Sequence, residues 1–361
     1  MSDLLEAMKP MAETRITMEG AAAPAVPVIT GPAVYANLPR ETYDAMKGWN
    51  SSLIKLVLDR TLGHAWWEFI RPDREPQEDK EQYIKGNQLH TLKLEPELYA
   101  ERYVVQPEHL PNRPTEKQLQ PPTAKPGTKT HDAWLDAKAR EAAWVEWEAT
   151  VPAGAKVVPA SWHEEASAWA AAIDRHRRLG PLFWPEYRHL NELTLVHLDP
   201  ITKAPIKTRL DALRIFDDHI WIGDFKTALA AGAAFERSAG NLWYPVAATV
   251  YTDAVFHCRA QIEQYLGLPD GALIGREIRF EWIAIEKTPP HFIQRLLLEN
   301  EQVEVSRKLI RRALDAIVAA DAANWWPAYP EEARPLQLPG YWYQNAQRVI
   351  DRLEGLLEVA R

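Results

Sequence analysis

Cysteine is almost missing from this 361-residue chain, since Cys258 is the only one. An intrachain disulfide is therefore impossible, and a cysteine-rich zinc or iron–sulfur site is excluded. Any metal that the chain holds must be bound by oxygen and imidazole, a donor set that points to Mg²⁺ or Mn²⁺. No run reaches the roughly 18 apolar residues that would cross a bilayer. The N-terminus has no apolar stretch of the signal-peptide kind, and Met1–Arg15 carries Asp3, Glu6 and Glu13. A cytoplasmic protein without membrane contact is the expectation. An excess of positive charge is missing too: the formal net charge is −8. That argues against a generic nucleic-acid-coating surface, although a channel can differ from the total. The basic clusters Arg175/Arg177/Arg178 and Arg307/Lys308/Arg311/Arg312 have helical spacing and read as solvated faces.

What is present suits a globular protein. The hydrophobic fraction of 46% and charged fraction of 25% allow one large or two modest domains with a sizeable core. Residues 1–35 are rich in Ala, Pro and Val without periodicity, and read as a flexible tail. The remainder, 36–361, reads as one domain. Ser51 or Ser52 is expected to cap a helix over Leu53–Arg60, and a second helix over Lys80–Lys93 carries Gly86 and His90. Six prolines between Pro107 and Pro126 make 107–130 a loop. Helices follow at His131–Glu148 and, from a Ser161/Glu164 capping box, on to Arg178. The 15 tryptophans read as core and helix-packing residues, with base stacking the alternative.

From Glu192 the pattern turns β-branched and alternating. Glu192–Leu198, Ile206–Phe216 and Ile220–Lys226 form a three-strand antiparallel meander. Helices at Ala230–Ser238 and Leu242–Ala260, strands at Glu277–Glu286 and His291–Leu298, and a long helix over Glu299–Ala323 complete the chain. The fold class is α+β, a mostly antiparallel or mixed central sheet with flanking helices.

The turn Phe216-Asp217-Asp218-His219 fits a two-residue hairpin loop, so paired residues on its strands have numbers summing to 435. Asp211 then faces Asp224, with Cβ atoms about 5 Å apart. Like charges so placed destabilise a sheet unless a cation neutralises them. Lys226 shares the face of Asp224. If Asp199 pairs with Ala204, the sums on the preceding hairpin are 403 and Glu192 faces Asp211; a one-residue slip would send Glu192 to the other face. Three carboxylates and a lysine suit metal-assisted phosphodiester hydrolysis: the carboxylates hold the cation, and the lysine orients water or contacts phosphate. From the residues alone, that reading stands beside a plainer one, a surface sheet with scattered charge. Asp217 and Asp218 are turn residues. His64, His163 and His257 read as structural.

The segment Trp221-Ile222-Gly223-Asp224-Phe225-Lys226-Thr227 resembles the hydrophobic-Gly/Met-Asp-x-Lys-Thr signature of RecB-like and RecE-like nucleases. Arg209-Leu210-Asp211 resembles their Arg/Lys-x-Asp strand, and Glu192 falls where they have an earlier Glu. Gly86-Asn87-Gln88-Leu89-His90 with Leu94-Glu95-Pro96 is similar to their Gly-x-x-x-His helix and its continuation. Trp49-Asn50-Ser51-Ser52-Leu53-Ile54-Lys55 and Glu286-Lys287-Thr288-Pro289-Pro290 also fit. In this order the elements resemble the nuclease domain of the RecE (exodeoxyribonuclease VIII) family of phage recombination, with a PD-(D/E)xK core. The resemblance implies Mg²⁺ or Mn²⁺ held by His90, Asp211, Asp224 and the backbone carbonyl of Phe225. It also implies catalytic roles for Glu192, Asp211, Asp224, Lys226 and Tyr251. Further, it implies 5′-to-3′ exonuclease action on double-stranded DNA ends, a ring-like homo-oligomer and a RecT-type single-strand annealing partner. One position departs. The family's Gln-x-x-x-Tyr becomes Ala247 with Tyr251 retained, which favours a non-catalytic DNA-binding or assembly module as one alternative; an endonuclease on the same scaffold, sharing the metal site, is the other.

Overall fold

A computed structural model describes residues 26–74 and 80–359 of the chain. Its strands are β1 (Ala33–Tyr35), β2 (Tyr103–Val105), β3 (Lys156–Val158), β4 (Asn191–Leu198), β5 (Pro205–Ile215), β6 (His219–Ala228), β7 (Glu277–Glu286) and β8 (Ile293–Leu297). The longer helices, in chain order, are α1 (Arg40–Ala45), α2 (Ser51–Asp59), α3 (Glu81–Leu94), α4 (Lys129–Glu148), α5 (Ala160–Arg175), α6 (Ala233–Asn241), α7 (Tyr244–His257), α8 (Arg259–Leu266), α9 (Asn300–Ala323) and α10 (Gly340–Val359).

Six strands form one sheet in the order β1-β4-β5-β6-β7-β8. All neighbours are antiparallel except β6 and β7, which run parallel. A parallel neighbour needs a long crossover, and α6, α7 and α8 supply it. The fold is the mixed sheet with flanking helices expected from the pattern. Apolar side chains on both faces explain the layers. One face packs Ala212, Trp221, Phe225, Ile283 and Ile285 against α3 and α5 through Leu89, Leu94, Trp169 and Ile173. The other packs Leu193, Leu195, Leu213 and Ile222 against α7 and α8 through Ala248, Val255 and Ile262. Behind α7, Val246 and Val250 meet Leu53 and Ile54 of α2 and Leu314 and Ile317 of α9.

Several boundaries differ from the sequence reading. The tail is shorter than residues 1–35: Ile29 is buried with Met46 and Val196, and β1 pairs with β4. Residues 1–25 of that tail lie outside the described residues. Asn50, rather than Ser51 or Ser52, caps α2, its side chain accepting the Leu53 N–H at 2.9 Å. The Ser161/Glu164 capping box does not form; α5 starts at Ala160 behind Pro159 and ends at Arg175. The expected helix over Leu242–Ala260 divides at Cys258 into α7 and α8. The small parallel pair β2/β3, three residues each, and the C-terminal helix α10 add to the expected elements. Trp144, Trp169, Trp221 and Trp282 are core, whereas Trp67, Trp184 and Trp325 lie exposed. No helix among the described residues is long and apolar enough to cross a membrane.

Candidate active site

The site forms where the sheet forks. The β5/β6 ladder runs only from Ile215↔Ile220 to Ala212↔Gly223, while β6 stays with β7 over its whole length. Back from Asp211, β5 continues with β4 as far as Pro205. Both registers are those expected from the turns. The Phe216 N–H donates to His219 O at 2.9 Å, and the Asp199 N–H to Ala204 O at 2.8 Å. Asp211 and Asp224 therefore lie one step beyond the last β5/β6 pair, at the mouth of the fork.

Glu192 and Asp211 fall opposite each other in the β4/β5 register, yet neither belongs to the ladder. Glu192 has φ +48°, a left-handed backbone that costs a non-glycine residue about 1–3 kcal/mol and is characteristic of functional positions. The strands change face here. Leu210 and Leu213 both join the α7-side core, although they are an odd number of residues apart, and Ala212 joins the α3 side. This local break turns the two carboxylates toward α3, which brings up His90. The His90 Nδ1 lies 3.5 Å from Asp211 Oδ1 and 3.8 Å from Glu192 Oε1, and its ring meets Phe225 edge-on at 5.8 Å. One ligand-capable atom from each of His90, Glu192 and Asp211 lies within 4.8 Å of the others.

Each carboxylate is also held in place. Asp211 Oδ2 accepts the Phe225 N–H at 2.8 Å. Arg209 Nε approaches Glu192 Oε2 at 2.9 Å, and its Nη2 donates to Leu38 O at 2.6 Å. Asp224, 5% exposed, forms an ion pair with Lys226. The Lys226 ammonium also donates to the Phe225 carbonyl at 3.1 Å. Asp224 Oδ2 is the oxygen that meets this ammonium. Lys226 stands beside the aspartates, as its place two residues beyond Asp224 implied. Lys226, His90 and Arg209 already moderate the repulsion.

The proton affinities follow from this packing. Burial alone would lower the pKa of His90, but the Asp211 and Glu192 carboxylates outweigh it and hold the imidazolium to about 9. Burial raises the carboxyl of Asp224, Asp211 adds to the effect, and Lys226 opposes it. Burial works against the charge on Lys226, yet Asp224 and Asp211 raise it overall. Tyr251, on α7 beside Asp224 and Ser51, is pushed up to about 12, mainly by burial. Ala247 lies one helical turn before it.

Of the residues singled out from the sequence, the structure clusters His90, Glu192 and Asp211. It places Asp224, Lys226, the Phe225 carbonyl and Tyr251 beside them. Arg209 was quoted only as part of a motif, and its clamp on Glu192 was missed. The Asn191–Arg214 link was missed too. Asn191 donates to Leu94 O at the end of α3 at 3.1 Å, and accepts from Arg214, which is 2% exposed, at 2.8 Å. That link ties the helix bearing His90 to the residue preceding Glu192. An arginine among the apolar residues Ala212, Leu213 and Ile215 at the end of β5 was the available signal. His64, His163 and His257 contact Thr61, Tyr99 and the stacked ring of His197, consistent with structural roles.

No family model matches this chain, and no curated protein matches it. Among solved structures, a Eubacterium rectale protein described as "Putative exonuclease" is similar to it. The likeness has a TM-score of 0.47 at 12% identity, covering 84% of this chain and 96% of that one.

Proposed function

We propose that this chain is a metal-dependent deoxyribonuclease of the PD-(D/E)xK type. The observation that carries the reading is the convergence of His90, Glu192 and Asp211 at a fork in the sheet, with Asp224 and Lys226 alongside. A hard divalent cation fits these residues. The donors are carboxylate, imidazole and carbonyl, without thiolate. His90, Asp211, Asp224 and the Phe225 carbonyl would hold Mg²⁺ or Mn²⁺, with Glu192 at the same cluster. When bound, such a cation makes water more acidic and stabilises charge growing on a phosphate.

The chain's own groups have separable tasks. Asp211 fixes the backbone at Phe225 while presenting its other oxygen to the cluster. Lys226 brings a cation that cannot itself ligate metal, and so serves the attacking water or the phosphate. Arg209 keeps Glu192 in its strained conformation. Tyr251, protonated at neutral pH, offers a hydroxyl beside Asp224. The order of the sequence motifs supports the finer reading: 5′-to-3′ exonuclease action on double-stranded DNA ends, in a ring-like homo-oligomer of the cytoplasm, with a RecT-type annealing partner.

The test is digestion of linear duplex, labelled at either 5′ or 3′ ends, and of closed circular duplex, with Mg²⁺ or Mn²⁺. Linear DNA should lose its 5′ label first, and circles should persist. Cleavage of circles would replace the exonuclease reading with an endonuclease one. No cleavage of any substrate with either cation would end the nuclease reading.

A further inference from the structure

Lys55 stands beside the site, favoured by the Asp224 carboxylate without meeting it directly. Helix α2 buries Leu53 and Ile54 against α7 and α9, and Lys55 follows them half-buried. Its Nζ lies 5.7 Å from the centre of the Tyr244 ring, and Lys226 Nζ lies 5.8 Å from the same centre. The two ammoniums thus flank one aromatic ring at the start of α7. Their situations differ. Lys226 has the Asp224 carboxylate and the Phe225 carbonyl. Among the described residues, Lys55 has neither an ion-pair nor a hydrogen-bond partner, only the face of Tyr244. Burial and the neighbouring Lys226 charge both lower its proton affinity.

Asp224 meets Lys226 directly but not Lys55, so the Lys55 ammonium is left to receive a second anion beside the ring. Tyr244 offers a hydroxyl and a ring face beside it, a setting that suits a phosphate group: diffuse negative charge, several acceptor oxygens and an adjoining planar base or sugar. We propose that Lys55 and Tyr244 form a phosphate subsite for the nucleic-acid strand, next to the phosphate at the His90/Glu192/Asp211 cluster, with Lys55 as its cation. The proposal rests on the nuclease reading and adds to it where the strand is gripped. Lys55 is a binding residue here; it touches the backbone next to the reacting phosphate.

The experiment measures binding of a fluorescein-labelled DNA duplex by anisotropy over a salt series, with Ca²⁺ replacing Mg²⁺ to suppress cleavage. Each neutralised phosphate contributes about 0.9 to the slope of log affinity against log salt. Lys55→Gln should reduce that slope by about one contact, and Lys55→Arg should restore it. In Mg²⁺ the KM of Lys55→Gln should rise several-fold. The melting shift on adding Mn²⁺ should remain in both variants, showing an intact fold and cluster. A parent that binds and cleaves DNA, with a Lys55→Gln variant of unchanged slope and KM, would overturn the subsite alone: the lysine would then merely pack on Tyr244. A parent that neither binds nor cleaves DNA would overturn the nuclease reading and the subsite together.

Discussion

At the scale of single residues, the two aspartates have different tasks and should fail differently. Asp224 is the buried partner of Lys226, so Asp224→Ala leaves an ammonium without its carboxylate. Breaking such a pair costs on the order of 3 kcal/mol, and the variant should melt measurably below its parent besides losing cleavage. The neutral Asp211→Asn retains an acceptor for the Phe225 N–H and should be inactive with a near-parental melting point. Equal melting of Asp224→Ala and parent would show that the Lys226 pair contributes nothing. Lys226→Ala should lose activity on the order of 10²–10³-fold, the range for removing a preorganised electrostatic group. Its Mn²⁺ affinity by calorimetry should not fall, since the change frees Asp224 and the Phe225 carbonyl; a large loss of affinity would contradict the assignment. His90 sets the pH dependence. Its pKa is raised from 6.5 to about 9 in the metal-free protein. The stability it contributes is therefore complete below about pH 6.5 and is lost as pH rises through 9. Metal requires the neutral ring, so Mn²⁺ affinity should climb from pH 7 to 9 with proton release. His90→Gln should flatten that climb, and an equally steep climb in the variant would remove His90 from the cluster.

At the scale of elements, β6 shows why a glycine precedes Asp224. The Trp221 indole donates to Glu281 at 2.9 Å, and Glu281 is in turn paired with Arg295 on β8. So anchored, the indole lies across Gly223, where an added Cβ would stand 2.1 Å from the ring. Gly223→Ala should cost about 1–3 kcal/mol through overpacking and displace Asp224 with it. Thermal melting and activity should fall together, and a fully active, parent-like Gly223→Ala would show that the ring moves freely. The same strands show what a sequence can disclose. Hairpin turns fix register through integer arithmetic, so the registers that align Glu192, Asp211 and Asp224 follow from Asp199-Pro200 and Asp217-Asp218. Turn chemistry carries no information on where a ladder opens. The fork after Ala212↔Gly223 and the left-handed Glu192 depend on α3, gripped through Asn191, and on Arg209, both distant in sequence from Glu192. Helix caps were similarly elusive: Asn50 and Ser51 are both good cap residues, and tertiary packing chose between them.

At the scale of the whole molecule, the edge and the metal each make a stability prediction. Deleting residues 1–25 leaves every contact described above in place, and the melting point should hold. Deleting 1–36 also strips Ile29 from Met46 and Val196 and uncovers the β4 edge. That product should melt lower and aggregate, and parental stability in it would make β1 dispensable. The cation acts through linkage. A ligand that binds only the folded chain stabilises it by about 2.7 kcal/mol at one hundred times its dissociation constant, which for a chain of this size raises the melting point by several degrees. The protein's own cations temper the repulsion around Asp211 and Asp224, so the gain comes chiefly from filling the donor set. Mg²⁺, Mn²⁺ and Ca²⁺ should all raise the melting point, and His90→Gln should lower each increment. Ca²⁺ should stabilise without supporting cleavage, because its larger and looser shell activates water poorly. A melting series on the two proteins decides the matter. If no divalent cation moves the parent at millimolar concentration, the fork does not hold a metal, and the hydrolytic chemistry assigned to it has no source.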